Sequence, residues 1–460
     1  MQLLLKLIVT ISLMLSASMA LAAPITNLRS SVTDARVRFV VDSTAPVTFK
    51  VQRNAKGIVV DLTNSFARKT NMAVKDVVVK GAILEPTTKQ SSRLTISTSK
   101  NCEYKIFSLK NPHRLVIDVY RISIVKRKTN IANGVDYTFV QDELNGKQFQ
   151  AYILEIDKEA NYDLVPFSCA GAYNGRGSLL KESNNRKLLA AINSSYFDSD
   201  GWVIGNTKLN GMFISSDYNP RSGFASYGKH HFIFKDLLYQ GTVILPSGKS
   251  VNLKGMNRLR IADDFVLYNE HFGTSTKTNE WGREVKIKND RVIDINDRGN
   301  MKIEPGTYVL SAHGIAKGYL AGIKLGDKIS IKETLGQSQA DQMKVVVTGG
   351  PLLVENGFVN VRVKEEKIPN DIANGRSPRT ALGIKKDGSL ILLVVDGRSA
   401  TSCGMTLSEL AQYLIKLGAY NAVNYDGGGS SEMVIKGRIV NNPSDGRERL
   451  VSMGLGVMPN

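Results

Sequence analysis

The stretch SLILLVVDGRSATSCGMTLSELAQYLIKLGAYNAVNYDGGGSSEMVIK, residues 389–436, decides the expected fold. A short apolar run, Leu390–Val395, ends in Asp396 and is typical of a buried strand. A helix opened by a Thr-x-x-Glu capping box follows, and a second strand, Ala419–Tyr425, ends in Asp426. Such a strand–helix–strand unit predicts parallel strands with a right-handed crossover. Both aspartates are therefore expected at one carboxyl edge, where ligands of α/β sheets bind.

The start of the chain has the pattern of a targeting segment. Lys6, an apolar run and a small-residue Ala-Leu-Ala site predict a signal peptide over residues 1–22, cleaved before Ala23. An uncleaved N-terminal anchor is the alternative. No later stretch is apolar enough to span a bilayer. We therefore expect an exported protein of the periplasm or cell envelope, without a transmembrane segment after processing.

The positive charge is concentrated in the front part of the chain. The formal net charge is +18, and residues 24–130 hold 20 Lys and Arg against 7 Asp and Glu, a net +13. In an exported protein, a basic module suggests an anionic envelope polymer or lipid surface as partner rather than nucleic acid. A merely solvated basic face is the alternative.

The length of 460 residues, 42% of them hydrophobic, allows two or three domains with sizeable cores. Residues 24–123 alternate apolar and polar side chains and predict a small all-β domain. Residues 124–134 are interpreted as a basic linker, and residues 135–460 as the catalytic domain, with a β-rich section over 224–345. The strands predicted in the first domain are 37–41, 47–51, 58–62, 77–79, 93–97 and 114–119.

The first domain resembles the AMIN domain of exported bacterial cell-wall enzymes. The resemblance covers about Ile25–Tyr120 and rests on the strand pattern and on the phrases GIVVDL (57–62) and HRLVIDVY (113–120). It implies attachment to the envelope through peptidoglycan or another anionic polymer. No catalytic constellation is found in this domain.

Four strand-end loops of the second domain share a glycine-rich or polar character. The phrases AINSSYF (191–197), TGGPLLV (348–354), RTALGI (379–384), VDGR (395–398) and DGGGSS (426–431) follow one another in this order. Together they closely resemble the phosphodiester glycosidase family. The resemblance implies an α+β catalytic domain with a mixed-sheet core. It also implies cleavage of a sugar-1-phosphodiester on the sugar side, giving a free sugar and a phosphomonoester.

Asp396, Asp426 and Arg379 are the predicted catalytic residues. The departing phosphate is already a good anion, so charge stabilisation matters more than acid assistance. Arg379 offers a planar fork for phosphate oxygens, with a structural ion pair as the alternative. The aspartates would stabilise an oxocarbenium-like centre or activate water, and Asp396 alternatively caps its own turn.

The remaining motif residues are predicted to bind the sugar or the phosphate. Glycine-rich strand ends can expose backbone N–H groups as an anion-binding nest, although tight turns need glycine too. Serine hydroxyls would donate to phosphate or act as nucleophile, and we favour donation because no histidine lies in these motifs. This predicted set is Asn193, Tyr196, Phe197, Thr348, Gly349, Gly350, Thr380, Gly397, Arg398, Gly427, Gly428, Gly429, Ser430, Ser431 and Arg449.

One position departs from the family pattern. The family usually carries glycine directly after the asparagine of the first loop, whereas this chain has Ser194. If that position required a positive φ, serine would be strained there. The geometry of the first loop is therefore expected to differ.

No metal site or cofactor is expected. The five histidines have no ligand spacing, and the aspartates form no calcium loop, although a divalent cation at Asp396 or Asp426 is left open. Cys102, Cys169 and Cys403 are too widely spaced for a disulfide framework or a zinc site and are expected to be free thiols. Two other functions fit the sequence: an ordinary exopolysaccharide glycoside hydrolase, and a non-catalytic envelope-binding protein that kept the fold.

Overall fold

The computed structural model describes residues 22–33, 36–54, 57–76, 78–99, 102–120, 125–145, 147–171, 175–399 and 401–459. The predicted signal peptide, apart from Ala22, lies outside these residues. The chain divides into two compact units, residues 1–123 and 124–460.

The first unit is built from two five-stranded sheets. The sheets have the orders β5-β1-β2-β10-β9 and β3-β4-β8-β7-β6. Their inner faces share one core of alternating residues such as Val37, Phe39 and Val41, which are fully buried. The described residues of this unit contain strands and no helix. The strands are β1 (Ala23–Val32), β2 (Arg36–Ser43), β3 (Thr48–Asn54), β4 (Gly57–Thr63), β5 (Ser65–Phe66), β6 (Thr70–Ala73), β7 (Val79–Thr88), β8 (Ser91–Thr98), β9 (Tyr104–Leu109) and β10 (His113–Tyr120).

The second unit is a larger assembly of several sheets with few short helices. Its strands are β11 (Val125–Ala132), β12 (Val135–Leu144), β13 (Lys147–Ile156), β14 (Tyr162–Ser168), β15 (Ala190–Asn193), β16 (Tyr196–Phe197), β17 (Val203–Ile204), β18 (Thr207–Leu209), β19 (Met212–Ser215), β20 (Arg221–Tyr227), β21 (His230–Leu237), β22 (Gln240–Ile244), β23 (Ser250–Asn252), β24 (Gly255–Met256), β25 (Phe265–Tyr268), β26 (Gly282–Lys288), β27 (Arg291–Asn296), β28 (Tyr308–His313), β29 (Ser330–Thr334), β30 (Val345–Thr348), β31 (Leu352–Glu355), β32 (Phe358–Val359), β33 (Arg379–Lys385), β34 (Leu390–Val395), β35 (Ala419–Asn424), β36 (Met433–Ile435), β37 (Arg438–Ile439) and β38 (Met453–Pro459).

The helices of the second unit have clear local causes. Ser178 caps the first with its hydroxyl, and Thr406 with Glu409 closes the predicted capping box of the longest. Gly418 follows that helix with φ +94°, a conformation that glycine adopts without strain. The helices are α1 (Leu179–Asn185), α2 (Lys317–Leu320), α3 (Ser338–Asp341), α4 (Asn370–Asn374) and α5 (Leu407–Lys416), with 3-10 turns at Gly314–Ala316 and Gly428–Ser430.

An eight-stranded sheet with the order β11-β12-β13-β34-β33-β35-β31-β32 carries the site. β33 lies between β34 and β35 and pairs antiparallel with both. The two strands of the predicted strand–helix–strand unit therefore run in the same direction, as expected, but they do not pair. Because every pairing described in this sheet is antiparallel, the expected mixed sheet is wrong here.

The expected class also needs correction towards β. Strands make up 52% of the structure and helices 9%. The architecture is therefore mostly β, with a few short helices. The stretch 124–134, interpreted as a linker, is largely the strand β11, which pairs with β12 at the edge of the eight-stranded sheet. Its lysines and arginine are exposed on that edge strand, which explains why the stretch looked like a solvated basic segment.

Candidate active site

The edge of the eight-stranded sheet brings three predicted residues together. β34 ends at Val395 and β35 at Asn424, while the antiparallel β33 begins at Arg379. Arg379, Asp396 and Asp426 therefore meet at the same edge, although 47 positions separate the first from the last. This edge opens into a cavity of about 230 Å³, lined by Tyr196, Asp371, Ile372, Ser377, Arg379, Arg398, Asp426, Gly427, Gly428, Gly429 and Arg449.

Of the two predicted catalytic aspartates, Asp426 is the one that lines this cavity. Its backbone N–H donates to the carbonyl of Ser194 (2.9 Å), and its own carbonyl accepts from Asn193 Nδ2 (2.7 Å). Its Oδ1 accepts the N–H of Gly427 (3.0 Å). Burial raises the pKa of Asp426 to about 6, against the opposing effects of Ser430, Gly427 and Arg449. The side chain therefore changes its charge close to neutral pH.

Arg379 is buried at the same edge without an acidic partner among the described residues. Its Nε donates to the carbonyl of Met405 (2.8 Å), and its Nη2 donates to the carbonyls of Ile372 (2.7 Å) and Gly375 (2.6 Å). Burial lowers the pKa of this guanidinium, and Arg398 adds to the effect. The alternative of a structural ion pair is therefore wrong. Arg379 holds the α4 segment and keeps an uncompensated positive charge at the cavity.

Two further arginines lie over the glycine turn that follows Asp426. A Cβ on Gly428 would come within 3.2 Å of Arg398 Nη2, and a Cβ on Gly429 would clash with the Arg449 guanidinium. Arg449 is held by Asp445, whose carboxylate accepts from Nε at 2.8 Å. Arg398 is exposed, makes no ion pair within the described chain and has a φ of +58°. Because these positions lack a Cβ, the two guanidinium groups can approach the backbone of the turn. This close approach requires glycine there in addition to the geometry of the turn.

Asp396 does not line the cavity. Its carboxylate accepts from the Tyr152 hydroxyl (2.8 Å), from Asn441 Nδ2 (3.2 Å) and from the backbone and side-chain N–H groups of Asn442. Burial raises its pKa, although these donors oppose the shift. The contacts of Asp396 therefore do not support its predicted catalytic role. It ties the end of β34 to β13 and to the loop after β37, which is more than the turn cap offered as the alternative.

Asn193 and Thr380 are buried connectors rather than substrate ligands. Asn193 Oδ1 accepts from Thr380 Oγ1 (2.7 Å) and from the N–H of Glu432 (3.1 Å), while its Nδ2 holds the Asp426 carbonyl. Asn193 is 1% exposed and does not line the cavity. The prediction that Asn193 binds the sugar is contradicted by this geometry, because its amide is buried and bonded to Thr380, Glu432 and Asp426.

The two aromatic residues of the first loop separate. The Tyr196 hydroxyl donates to the carbonyl of Gly350 (2.9 Å) and accepts from Asn424 Nδ2, and burial raises its pKa. Since the hydroxyl is anchored, the ring is what Tyr196 offers to the cavity. Phe197 packs instead against the hydrophobic cluster around Phe167 and does not line the cavity.

The loop after β30 is structural, which corrects a second part of the predicted phosphate site. The N–H groups of Gly349 and Gly350 donate to the carbonyls of Ser222 (3.0 Å) and Asn424 (2.8 Å). Thr348 is buried, and its Oγ1 accepts the N–H of Asn206 (2.7 Å). The glycines are required because a Cβ on either would meet neighbouring atoms at 2.5 Å or less. Together with the φ of +104° at Gly350, this close packing fits the alternative that a tight turn requires the glycines of this loop.

The turn after Asp426 gives only part of the predicted anion nest. The N–H of Gly427 is taken by Asp426, and that of Gly428 by the carbonyl of Pro378 (2.9 Å). Ser430 and Ser431 are buried behind the turn; the Ser430 hydroxyl lies against the Asp426 carboxyl and lowers its pKa, and the Ser431 hydroxyl has no hydrogen-bond partner in the described chain. Positive side chains, more than backbone N–H groups, therefore supply the attraction for an anion.

Two remaining predictions concern single backbone positions. Gly397 is buried against Pro378, because a Cβ there would lie 2.6 Å from the Pro378 nitrogen, and it does not line the cavity. Ser194 is not among the residues with positive φ. The expected strain at Ser194 is therefore wrong, and this chain has no conformational need for the family's glycine at that position.

The sequence reasoning missed several residues around the site. Asp371, Ile372 and Ser377 line the cavity from α4 and the segment after it. The spacing Asp-x-x-x-x-x-Ser just before Arg379 carried no recognisable signal. The Asn441-Asn442 pair also carried no recognisable signal in the sequence. Its role depends on the carboxylate of Asp396, 45 positions before Asn441.

Among the described residues, no group of three His, Cys, Asp or Glu side chains could hold a metal ion. Cys102, Cys169 and Cys403 form no disulfide bond with one another in the described chain. No helix in the part of the chain that the structure describes is long and apolar enough to cross a bilayer.

Comparison with known proteins shows which family the cavity-bearing part of the chain resembles. Residues 282–458 match the family model described as phosphodiester glycosidase. The predicted resemblance to this family is confirmed for that stretch. The match includes every residue that lines the cavity except Tyr196.

Individual relatives match shorter parts of the chain. An uncharacterized SPbeta prophage-derived protein of Bacillus subtilis, YomE, is 44% identical over 78 residues, which is 17% of this chain and 12% of that protein. The N-acetylglucosamine-1-phosphodiester alpha-N-acetylglucosaminidase of Bos taurus is 43% identical over 109 residues, 22% of this chain and 20% of the bovine protein. The chain thus spans about a fifth or less of the length of these relatives.

A solved structure extends the likeness of the fold to nearly the whole chain. The crystal structure of a hypothetical protein from Synechocystis superposes with a TM-score of 0.68 at 20% identity, covering 95% of this chain and 81% of that one. At this identity, the likeness concerns the fold alone. The AMIN-like character of the first unit stays a prediction.

Proposed function

We propose that this phosphodiester glycosidase domain hydrolyses the sugar–phosphate glycosidic bond of a sugar-1-phosphodiester. The observation that carries the proposal is the convergence of three guanidinium groups, those of Arg379, Arg398 and Arg449, on one cavity with Asp426. Two of them have no acidic partner in the described chain. A bound phosphodiester would supply the missing negative charge.

Asp426 is the reacting carboxylate in this proposal. The leaving phosphomonoester needs little protonation, so the ionised carboxylate would activate water or stabilise the positive charge that develops at the anomeric carbon. Arg449 favours the ionised form, since it lowers the pKa that burial raises. Asp371, an exposed residue of the lining, is the second carboxylate of the cavity and would contact sugar hydroxyls.

The substrate class is inferred from the relatives. The bovine relative is named for N-acetylglucosamine-1-phosphodiesters, and an exported protein would meet such linkages in envelope or exopolysaccharide glycans. The Tyr196 ring is available for packing against the sugar. The basic first unit would tether the enzyme to peptidoglycan or another anionic polymer of the envelope.

Isotope labelling tests the reaction. The purified protein would be incubated in ¹⁸O water with N-acetylglucosamine-1-phosphodiesters and, separately, with nitrophenyl glycosides. We expect turnover of the phosphodiesters with ¹⁸O in the released sugar and none in the phosphomonoester. Label in the phosphate would contradict glycosidic cleavage. Turnover of nitrophenyl glycosides alone would favour an ordinary glycoside hydrolase, and glycan binding without turnover a non-catalytic role.

A further inference from the structure

A second pair of acidic residues, Glu432 and Glu448, lies behind the active-site cavity and does not line it. Glu432 is 3% exposed, and its Oε1 is buried without a hydrogen-bond partner in the described chain. Its carboxyl lies against that of Glu448. Two ionised carboxylates in such a place would repel each other without compensation, so a shared proton is the arrangement that fits.

Among the residues that the structure describes, no cation stabilises the Glu432 carboxyl. Glu448 accepts from the Ser178 hydroxyl (2.8 Å) and from the N–H of Leu180 (3.0 Å) at the start of α1. The titratable and charged groups that share this environment are the Cys169 thiol, Glu182 and Arg186, and Arg186 is already bound to Glu182 at 2.8 Å. Burial and the neighbouring Glu448 raise the pKa of Glu432 to about 8.

Each member of the pair is joined to one wall of the cavity. The N–H of Glu432 donates to Asn193 Oδ1, and Asn193 in turn holds the carbonyl of Asp426. Glu448 immediately precedes Arg449, whose guanidinium lies against Gly429. The pair therefore connects the loop that carries Asp426 to the loop that carries Arg449.

We infer that Glu432 and Glu448 are positioning residues that share one proton and thereby hold Arg449 at the cavity. The inference rests on the proposed function in so far as Arg449 binds phosphate. With the proton in place, the carboxyl of one residue donates to the carboxylate of the other and the two loops stay joined. When the pair loses its proton, the carboxylates repel each other and the loop over 445–449 moves away from Gly429.

Three measurements on the full chain test this inference. The first is thermal unfolding against pH for the wild type and Glu432→Gln. The unfolded glutamate ionises at a lower pH than the folded one, so between about pH 5 and 8 the native state binds the extra proton and stability falls as pH rises. We expect Glu432→Gln to remove this decline. Parallel declines in both proteins would overturn the shared proton.

The second measurement is amide hydrogen exchange of residues 445–449 at pH 7 and 9, corrected for the intrinsic pH dependence. Exchange is expected to become at least tenfold faster in the wild type at pH 9 and to change less than threefold in Glu432→Gln. Equal protection of this segment at both pH values in the wild type would overturn the link to Arg449, whatever the catalytic activity of the protein.

The third measurement is KM for a sugar-1-phosphodiester, whose charge is constant over this range. We expect KM to rise at least tenfold from pH 7 to 9 in the wild type and less than threefold in Glu432→Gln, with kcat changing less. Glu333→Gln is the matched control, because Glu333 is a half-buried carboxyl whose pKa desolvation also raises, to about 7, but it contacts Tyr239 and does not line the cavity. This control should alter the pH dependence of stability and leave that of KM unchanged.

If Glu432→Gln fails to fold, Glu448→Gln replaces it, since the amide oxygen keeps an acceptor for Ser178. An absence of turnover on every phosphodiester would contradict the proposed function alone. The unfolding and exchange results would still decide the role of the carboxyl pair. A KM profile that follows the wild type in a folded Glu432→Gln would contradict the coupling to phosphate binding.

Discussion

Asp426 is the residue on which the proposed chemistry depends. Since its pKa is raised to about 6, the carboxylate is ionised above and protonated below this value. If the ionised form reacts, kcat/KM should fall about tenfold per pH unit below pH 6. Asp426→Asn should lower kcat by at least about 100-fold at pH 8, in line with the loss of a key electrostatic group. An activity that rises on acidification would contradict this assignment.

The stability of Asp426→Asn provides the control for that experiment. A carboxyl whose folded pKa is raised by burial weakens the folded state at every pH above its unfolded pKa. Removing the charge should therefore leave the melting temperature at pH 8 unchanged or higher, although activity is lost. A large drop in the melting temperature would show instead that the loss of activity reflects unfolding.

The arginines should separate into two classes by exposure. Arg398 is exposed and makes no ion pair in the described chain, so Arg398→Ala should raise KM about tenfold, the loss of about 1.4 kcal/mol of phosphate binding, with little change in stability. Arg379→Lys should instead lower both kcat and stability, because a lysine cannot serve the carbonyls of Met405, Ile372 and Gly375 together. Steady-state kinetics and urea unfolding of both variants distinguish these outcomes.

At the scale of elements, the junction around Asp396 holds three segments in register. Asp396 directly follows β34, and its carboxylate accepts hydrogen bonds from Tyr152 on β13 and from Asn442 beyond β37. Asp396→Asn turns one oxygen into a donor that faces other donors. We expect a loss of about 2–3 kcal/mol in the free energy of unfolding, against about 1 kcal/mol for Tyr152→Phe. The latter removes the hydroxyl's bonds to Asp396 and Asn442, but Asn442 Nδ2 keeps Asp396 as an acceptor. Urea unfolding of both variants measures this difference. Equal stability of wild type and Asp396→Asn would indicate that the carboxylate is not a structural tie.

The same region shows what sequence reasoning could and could not reach. The strand, helix and strand of residues 390–424 were predictable because apolar runs and a capping box are local signals. The insertion of β33 between the two strands was not, since pairing depends on a segment outside that unit. Glycine motifs were ambiguous for a similar reason: those at 349 and 350 serve packing, whereas those at 428 and 429 make room for arginines.

At the scale of the molecule, positive charge is distributed unevenly between the two units. Residues 24–123 of the first unit hold 17 Lys and Arg against 7 Asp and Glu, a net +10, whereas the cavity residues belong to the second unit. If the first unit binds an anionic envelope polymer, the binding should be largely electrostatic and decline with salt. It should also depend on exposed lysines of the first unit that have no ion pair in the described chain.

Charge reversal of the full chain tests this division. Lys50, Lys89 and Lys110 are exposed on the first unit, and changing all three to Glu lowers the net charge by six. We expect the fraction that pellets with peptidoglycan sacculi at low salt to fall at least fivefold, while turnover of a small sugar-1-phosphodiester stays within twofold. The control changes Lys229, Lys324 and Lys386, exposed on the second unit, and should pellet like the wild type. Equal losses in both triple variants would show that net charge alone governs the association, and an unchanged first-unit variant would remove the tether from the proposal.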